Sequence, residues 1–149
     1  MYETVLWATD ASPLATGALH TALELLQPGG RLIAFHCDER FHTGRAGGTT
    51  VRADELDLRR ALRQQVAELQ SEGIDAQLVI ETSHHSAPGE IAKAAETYGA
   101  DVIVCGTRGF GLVAGAVAGS VAMRLPHLAA CPVVVVSEQA AKSLEPAAK

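Results

Sequence analysis

The sequence predicts an α/β fold built on one parallel sheet. Five short apolar runs alternate with helix-patterned segments in the order β-α-β-α-β-α-β-α-β. That order implies right-handed crossovers within a single sheet. Runs 1, 2, 4 and 5 are nearly continuous apolar residues rather than alternating ones. Strands covered by helices on both faces have that pattern.

Thr4-Val5-Leu6-Trp7-Ala8 is the first strand. Ser12-Pro13 then reads as a helix N-cap followed by Pro at the first helical position. Ala15, Leu19, Ala22, Leu23 and Leu26 recur at helical spacing, and Gly29-Gly30 is expected to end the segment. Arg31-Leu32-Ile33-Ala34-Phe35 is the second strand. The Gly-rich connector Phe41 to Thr50 follows, read either as a lid or as a plain crossover loop. Leu58, Leu62, Val66 and Leu69 stripe the longest helix, about Arg52 to Glu72, which Gly73 terminates. Ala76-Gln77-Leu78-Val79-Ile80 is a more mixed strand, suited to a sheet edge. Ile91, Ala95 and Tyr98 mark a third helix stopped by Gly99, and Val102 to Cys105 forms the fourth strand. Val121, Leu125 and Leu128 mark a fourth helix, and Val133-Val134-Val135-Val136 is the last strand. The polar, Ala-rich stretch from Glu138 to Lys149 is expected to fray as a flexible tail. No repeat or second domain is visible, so residues 1–149 read as one domain.

Composition narrows the function. A chain of 149 residues with 48% hydrophobic and 19% charged residues can bury a real core. The net charge of -5 and the 4% aromatic content argue against nucleic-acid partners, which need a basic footprint or stacking platforms. No apolar stretch reaches the ~20 residues needed to cross a membrane, and no signal peptide is apparent. The three cysteines, Cys37, Cys105 and Cys131, lack CxxC spacing and fit reduced thiols in a cytoplasmic protein. His36, Cys37 and His42, or the pair His84-His85, invite a metal reading, but no spacing matches a zinc site. No protein side chains are therefore assigned to a metal.

The strongest motif is Gly106-Thr107-Arg108-Gly109, then nine residues, then Gly119-Ser120. It joins the end of a strand to the start of a helix. Glycines let backbone N–H groups approach an anion with no Cβ in the way. A helix N-terminus adds unpaired donors and partial positive charge. The Ser120 hydroxyl can donate to a phosphate or cap the helix. A P-loop is excluded, because no Lys follows Gly119. Gly109-Phe110-Gly111 only mimics a dinucleotide fingerprint, since no acidic residue ends the next strand. Asp10 closes the first strand, where it can either cap the following helix or accept from a ligand.

These residues resemble the nucleotide-binding signature of universal stress proteins, in the branch that binds ATP. The first-strand exit Ala8-Thr9-Asp10-Ala11-Ser12, the lead-in Gly99 to Gly106, and Cys131-Pro132 before four valines are similar to that family as well. The likeness spans about residues 2–137. It implies a Rossmann-like, five-stranded parallel sheet of order 3-2-1-4-5 and a homodimer paired through Val133 to Val136. It also implies an adenine-nucleotide-binding regulatory protein of the stress response. By the resemblance, Asp10 accepts from the ribose, Ala8 and Thr9 wall the adenine, and Cys37 offers backbone groups to the adenine edge. Gly106, Arg108 and Gly109 lie along the ribose and inner phosphates. Gly119, Ser120 and Val121 donate to the terminal phosphates, and Mg²⁺ rides on those phosphates. ATP, ADP, AMP and a cyclic nucleotide are all compatible. A departure lies at His85-Ser86-Ala87-Pro88-Gly89, where the family usually has Gly-x-Pro opening the third helix. No catalytic triad is apparent, and slow ATP hydrolysis is the most that is expected. A weak ATPase or phosphoryl-transfer enzyme, and a nucleotide-free dimeric module, are the alternatives.

Overall fold

A computed structural model describes residues 1–40, 55–107 and 119–144. In chain order the elements are β1 (Tyr2–Ala8), α1 (Pro13–Leu25), β2 (Leu26–Glu39), α2 (Glu55–Ser71), β3 (Asp75–Ser83), α3 (Ala87–Tyr98), β4 (Val102–Gly106), α4 (Ser120–Leu128), β5 (Val133–Val136) and α5 (Glu138–Leu144). The strands form one five-stranded sheet of order β3-β2-β1-β4-β5. Every pairing is parallel. The expected fold class and strand order are both met.

Strand geometry sends successive side chains to opposite faces, and the core divides accordingly. Val5, Trp7, Leu32, Ala34, Val102 and Val104 pack with Ala18, Leu19 and Ala22 of α1, with Leu58, Leu62, Val66 and Leu69 of α2, and with Ala141 of α5. Leu6, Ala8, Ile33, Phe35, Ile103 and Cys105 pack on the other face, against Ile91, Ala92, Ala94 and Ala95 of α3 and Leu125 of α4. The nearly continuous apolar runs follow from this: neither face of the central strands meets water. The Trp7 indole, the most polar part of that core, donates Nε1–H to the Ala15 carbonyl at 2.7 Å and so ties β1 to the start of α1.

Two boundaries differ from the sequence reading. Helix α1 ends at Leu25, and Gly29-Gly30 lies inside the irregular start of β2. The register there shifts between Tyr2 and Thr4, and Gly29 has φ of 75°. A Cβ on Gly30 would stand 2.7 Å from the Glu3 carbonyl oxygen, so close strand approach accounts for that glycine. The segment expected to fray is helical from Glu138 to Leu144, with Ala141 buried. Gly17 of α1 makes room for it, because a Cβ at 17 would lie 2.6 Å from the Ala141 Cβ. The described part of the long helix begins at Glu55, so its expected start at Arg52 and the connector Phe41 to Thr50 lie outside the described residues.

Candidate functional site

β1 and β4 are adjacent and parallel, with Trp7 paired to Val104. Their carboxyl ends therefore emerge side by side. In open α/β sheets that edge, flanking the point where strand order reverses, is where ligands bind. Here the order reverses at β1, between β2 and β4.

Past β1 the chain makes a tight turn. Thr9 is buried and its N–H donates to the Phe35 carbonyl at 2.9 Å. The Ala11 N–H donates to Thr9 Oγ1, and the Ser12 N–H donates to Asp10 Oδ1 at 2.9 Å. Ala11 has φ of 60°, the one described non-glycine residue in the left-handed region. Such a residue costs about 1–2 kcal/mol, so surrounding bonds must hold it there. Ser12 then caps α1, its Oγ accepting from the Ala15 N–H. Asp10 therefore shapes this turn, while Ser12 is the helix cap.

Past β4 the arrangement uses backbone. The Thr107 N–H donates to the Val136 carbonyl at 3.0 Å, and the Gly119 N–H donates to the Thr107 carbonyl at 2.6 Å. The second bond returns the chain to the end of β4 just before α4 starts. Gly119 is the N-cap of α4, so Ser120 is its first helical residue and does not cap it. Ser120 is exposed and Val121 half-buried. Gly106 faces α1: a Cβ there would lie 3.0 Å from Leu14 Cγ and 3.3 Å from Leu14 backbone atoms. Its lack of a side chain thus lets β4 end against the first turn of α1.

Helix N-termini differ in how their free N–H groups are met. Ser12 serves α1, and Ser137 Oγ accepts from Ala140 in α5. In α3, Ser86 makes no side-chain cap, and Glu39 Oε1 accepts from the Ala87 N–H at 2.9 Å instead. This carboxylate fills the place where the sequence departs from Gly-x-Pro. No described side chain caps α4.

Of the expected site residues, Ala8, Thr9 and Asp10 line the β1 exit, Gly106 ends β4, and Gly119, Ser120 and Val121 open α4. Cys37 lies near the end of β2, half-buried. Arg108 and Gly109 lie outside the described residues. Burial and the charges of Glu39, Glu90, Asp38 and Glu81 push the Cys37 thiol from 9.0 up to about 12. Burial raises Cys105 to about 11 and also lifts Cys131. These groups stay as unreactive thiols at neutral pH. The stability their neutral form lends is complete below pH 9.0 and is lost as the pH climbs toward 11 and 12. Among the described residues, no three His, Cys, Asp or Glu side chains gather as a metal site. His84 and His85 are exposed, and His84 Nδ1 lies 2.6 Å from the Arg40 carbonyl.

The feature the sequence reading missed is a buried polar chain beside the β1 turn. His36 of β2 has Nδ1 at 3.0 Å from the Thr9 carbonyl and Nε2 at 3.0 Å from Glu55 Oε1. Arg59 Nε also donates to Glu55 Oε1, and Arg59 Nη2 reaches Asp38 Oδ2 at 3.0 Å. Arg40 Nε donates to the same Asp38 oxygen. His36, Asp38 and Glu55 are all buried. The available signal was the placement of Glu55 and Arg59 four apart on one helix, together with a polar residue ending an apolar strand.

Comparison with known proteins bears on this arrangement. The model of the universal stress protein family matches residues 1–137. The chain belongs to the universal stress protein family. Solved structures agree. A universal stress protein UspA from Lactobacillus plantarum superposes with a TM-score of 0.70 at 19% identity, covering 91% of this chain and 97% of that one. A universal stress protein from Archaeoglobus fulgidus in complex with dAMP gives 0.65 at 25% identity, covering 91% and 97%. A member of the family from Burkholderia pseudomallei gives 0.64 at 25% identity, covering 91% and 96%. No curated protein sequence matches significantly. No helix among the described residues is long and apolar enough to cross a membrane.

Proposed function

We propose that this universal stress protein is a regulatory protein that binds an adenine nucleotide across the exits of β1 and β4. The observation that carries the reading is the bond from the Gly119 N–H to the Thr107 carbonyl. It brings a helix start without a side-chain cap back to the strand end beside the Asp10 turn. Uncapped N–H groups and the helix dipole suit a phosphate. The carboxylate of Asp10 suits ribose hydroxyls as a charged acceptor. The family and the dAMP complex of the Archaeoglobus fulgidus relative support the same ligand class.

In this reading Ala8, Thr9 and the backbone of Cys37 meet the adenine. Asp10 meets the ribose, and Gly106, Arg108 and Gly109 follow the ribose and inner phosphates. Gly119, Ser120 and Val121 hold the outer phosphates. Mg²⁺ is held chiefly by phosphate oxygens and water, as that ion's reluctance to dehydrate favours. The chain acts as one domain in the cytoplasm and pairs as a homodimer through β5. That strand ends the sheet and leaves Val135 38% exposed, an apolar edge that a partner would cover.

Denaturing the purified protein and identifying the released small molecules tests the ligand directly. Titration of nucleotide-stripped protein with ATP, AMP and cyclic AMP, with and without Mg²⁺, ranks the candidates. Saturable binding and a raised melting temperature are expected. Absence of binding by all three nucleotides would overturn the reading.

A further inference from the structure

We infer that His36 is a positioning residue for the nucleotide site, setting the β1 turn through Thr9 and linking that turn to the start of α2 through Glu55. The inference rests on the reading of the β1 exit as the ribose-binding side.

Thr9 Oγ1 and Asp10 Oδ1 each accept from a backbone N–H within the turn itself. Those two bonds close the turn locally. Among the bonds between described residues, two fix it against the rest of the fold. The Thr9 N–H donates to Phe35, and the Thr9 carbonyl accepts from His36 Nδ1. The carbonyl precedes Asp10 directly, so its direction sets the peptide plane from which the Asp10 carboxylate projects. A carbonyl can only accept, so Nδ1 carries a hydrogen. The other ring nitrogen lies 3.0 Å from Glu55 Oε1. The ring is thus held at both ends, which fixes its rotation.

Beyond Glu55 the chain of bonds continues to Arg59, Asp38 and Arg40. Every link is buried or part-buried. Loss of one link leaves polar atoms unpaired away from water, which makes such networks stiff. Ala11 in its left-handed conformation needs the turn held in place, and the His36–Thr9 bond is the link from this network that reaches the turn.

Two substitutions separate the two ends of the ring. His36→Asn puts an amide N–H near the place of Nδ1–H and removes the partner of Glu55. His36→Gln puts one near the place of Nε2–H and removes the partner of Thr9. Affinities for ATP and AMP are read by titration, alongside melting temperature. His36→Gln is expected to weaken nucleotide binding about tenfold, as for a lost buried hydrogen bond. His36→Asn is expected to lower the melting temperature at least as far, yet to keep affinity within about twofold. Equal losses of affinity in both variants, unchanged affinity in both, or the reverse order would overturn the inference. If the variants do not fold, the wild-type ring serves. Its Nδ1 proton resonance should shift when ATP is added, and an unmoved resonance at saturation would overturn the inference as well. Wild-type protein that binds neither ATP nor AMP would instead sink the site reading, and this inference with it.

Discussion

At the end of β1 side chains hold the chain, whereas among the described residues the end of β4 is held by main-chain bonds. Thr9, Asp10, Ser12 and His36 all place side-chain atoms on backbone groups of the first turn. Thr107 and Gly119 close the second with main-chain bonds. The first turn stores strain at Ala11, while Gly119 has φ of -75° and ψ of 166°, which any residue adopts. The two sides are thus suited to different tasks. In the proposed function, the pinned carboxylate discriminates the ribose hydroxyls by direction, and the N–H groups at the helix start take the phosphate by charge and proximity. Gly106 joins them, because a Cβ there would crowd Leu14 of α1, 3.0 Å from its Cγ.

The most severe way to break the comparison is to cover the bare amides. Gly119→Val with Ser120→Ala should abolish nucleotide binding, with at least a hundredfold loss as a rough expectation for several phosphate contacts. The backbone at 119 is extended and Ser120 is exposed. The fold should therefore survive, with a stability change within about 1 kcal/mol. Titration calorimetry and thermal melting read the two quantities separately. Unchanged affinity would show that the second turn binds no phosphate.

This asymmetry also explains what was legible in the sequence. The parallel sheet was legible because burial on both faces leaves continuous apolar runs, as in Val102 to Cys105. The second turn was legible because glycine and a helix start lie within a few residues of each other. The part of the first turn's support that comes from distant residues was not. His36 reaches 27 residues back to Thr9 and 19 forward to Glu55. A His ending an apolar strand suggests a metal ligand as readily as a brace. Helix α5 was obscured for a similar reason. Its Ala-rich sequence has little apolar pattern, and Ala141 is buried only because Gly17 opens a place for it.

A smaller effect is expected at Asp10, where the two roles of one carboxylate can be parted. Asp10→Ala removes the acceptor for the Ser12 N–H, at a cost of about 1 kcal/mol. It should also weaken nucleotide binding about tenfold or more, through loss of a charged acceptor. Asp10→Asn keeps an oxygen for Ser12 but not the charge. Its stability should match wild type while its affinity stays reduced. If Asp10→Asn restores affinity in full, the carboxylate acts only through the turn and does not meet the ribose.

The mildest change asks whether strain in the first turn is needed at all. Ala11 at φ of 60° occupies a conformation that glycine adopts freely. Ala11→Gly removes about 1–2 kcal/mol of left-handed strain, against about 0.4–1 kcal/mol lost to the greater freedom of the unfolded chain. A net gain of up to about 1.6 kcal/mol is expected, visible as a raised midpoint in urea unfolding. Affinity should move the other way. The same glycine permits other turn geometries, so part of the nucleotide's binding energy must then select the one that aims Asp10. A variant that is more stable and binds less tightly would mean that the strained alanine keeps the side-chain turn preorganised. Equal or tighter binding would mean that Thr9, Asp10 and His36 suffice to hold it.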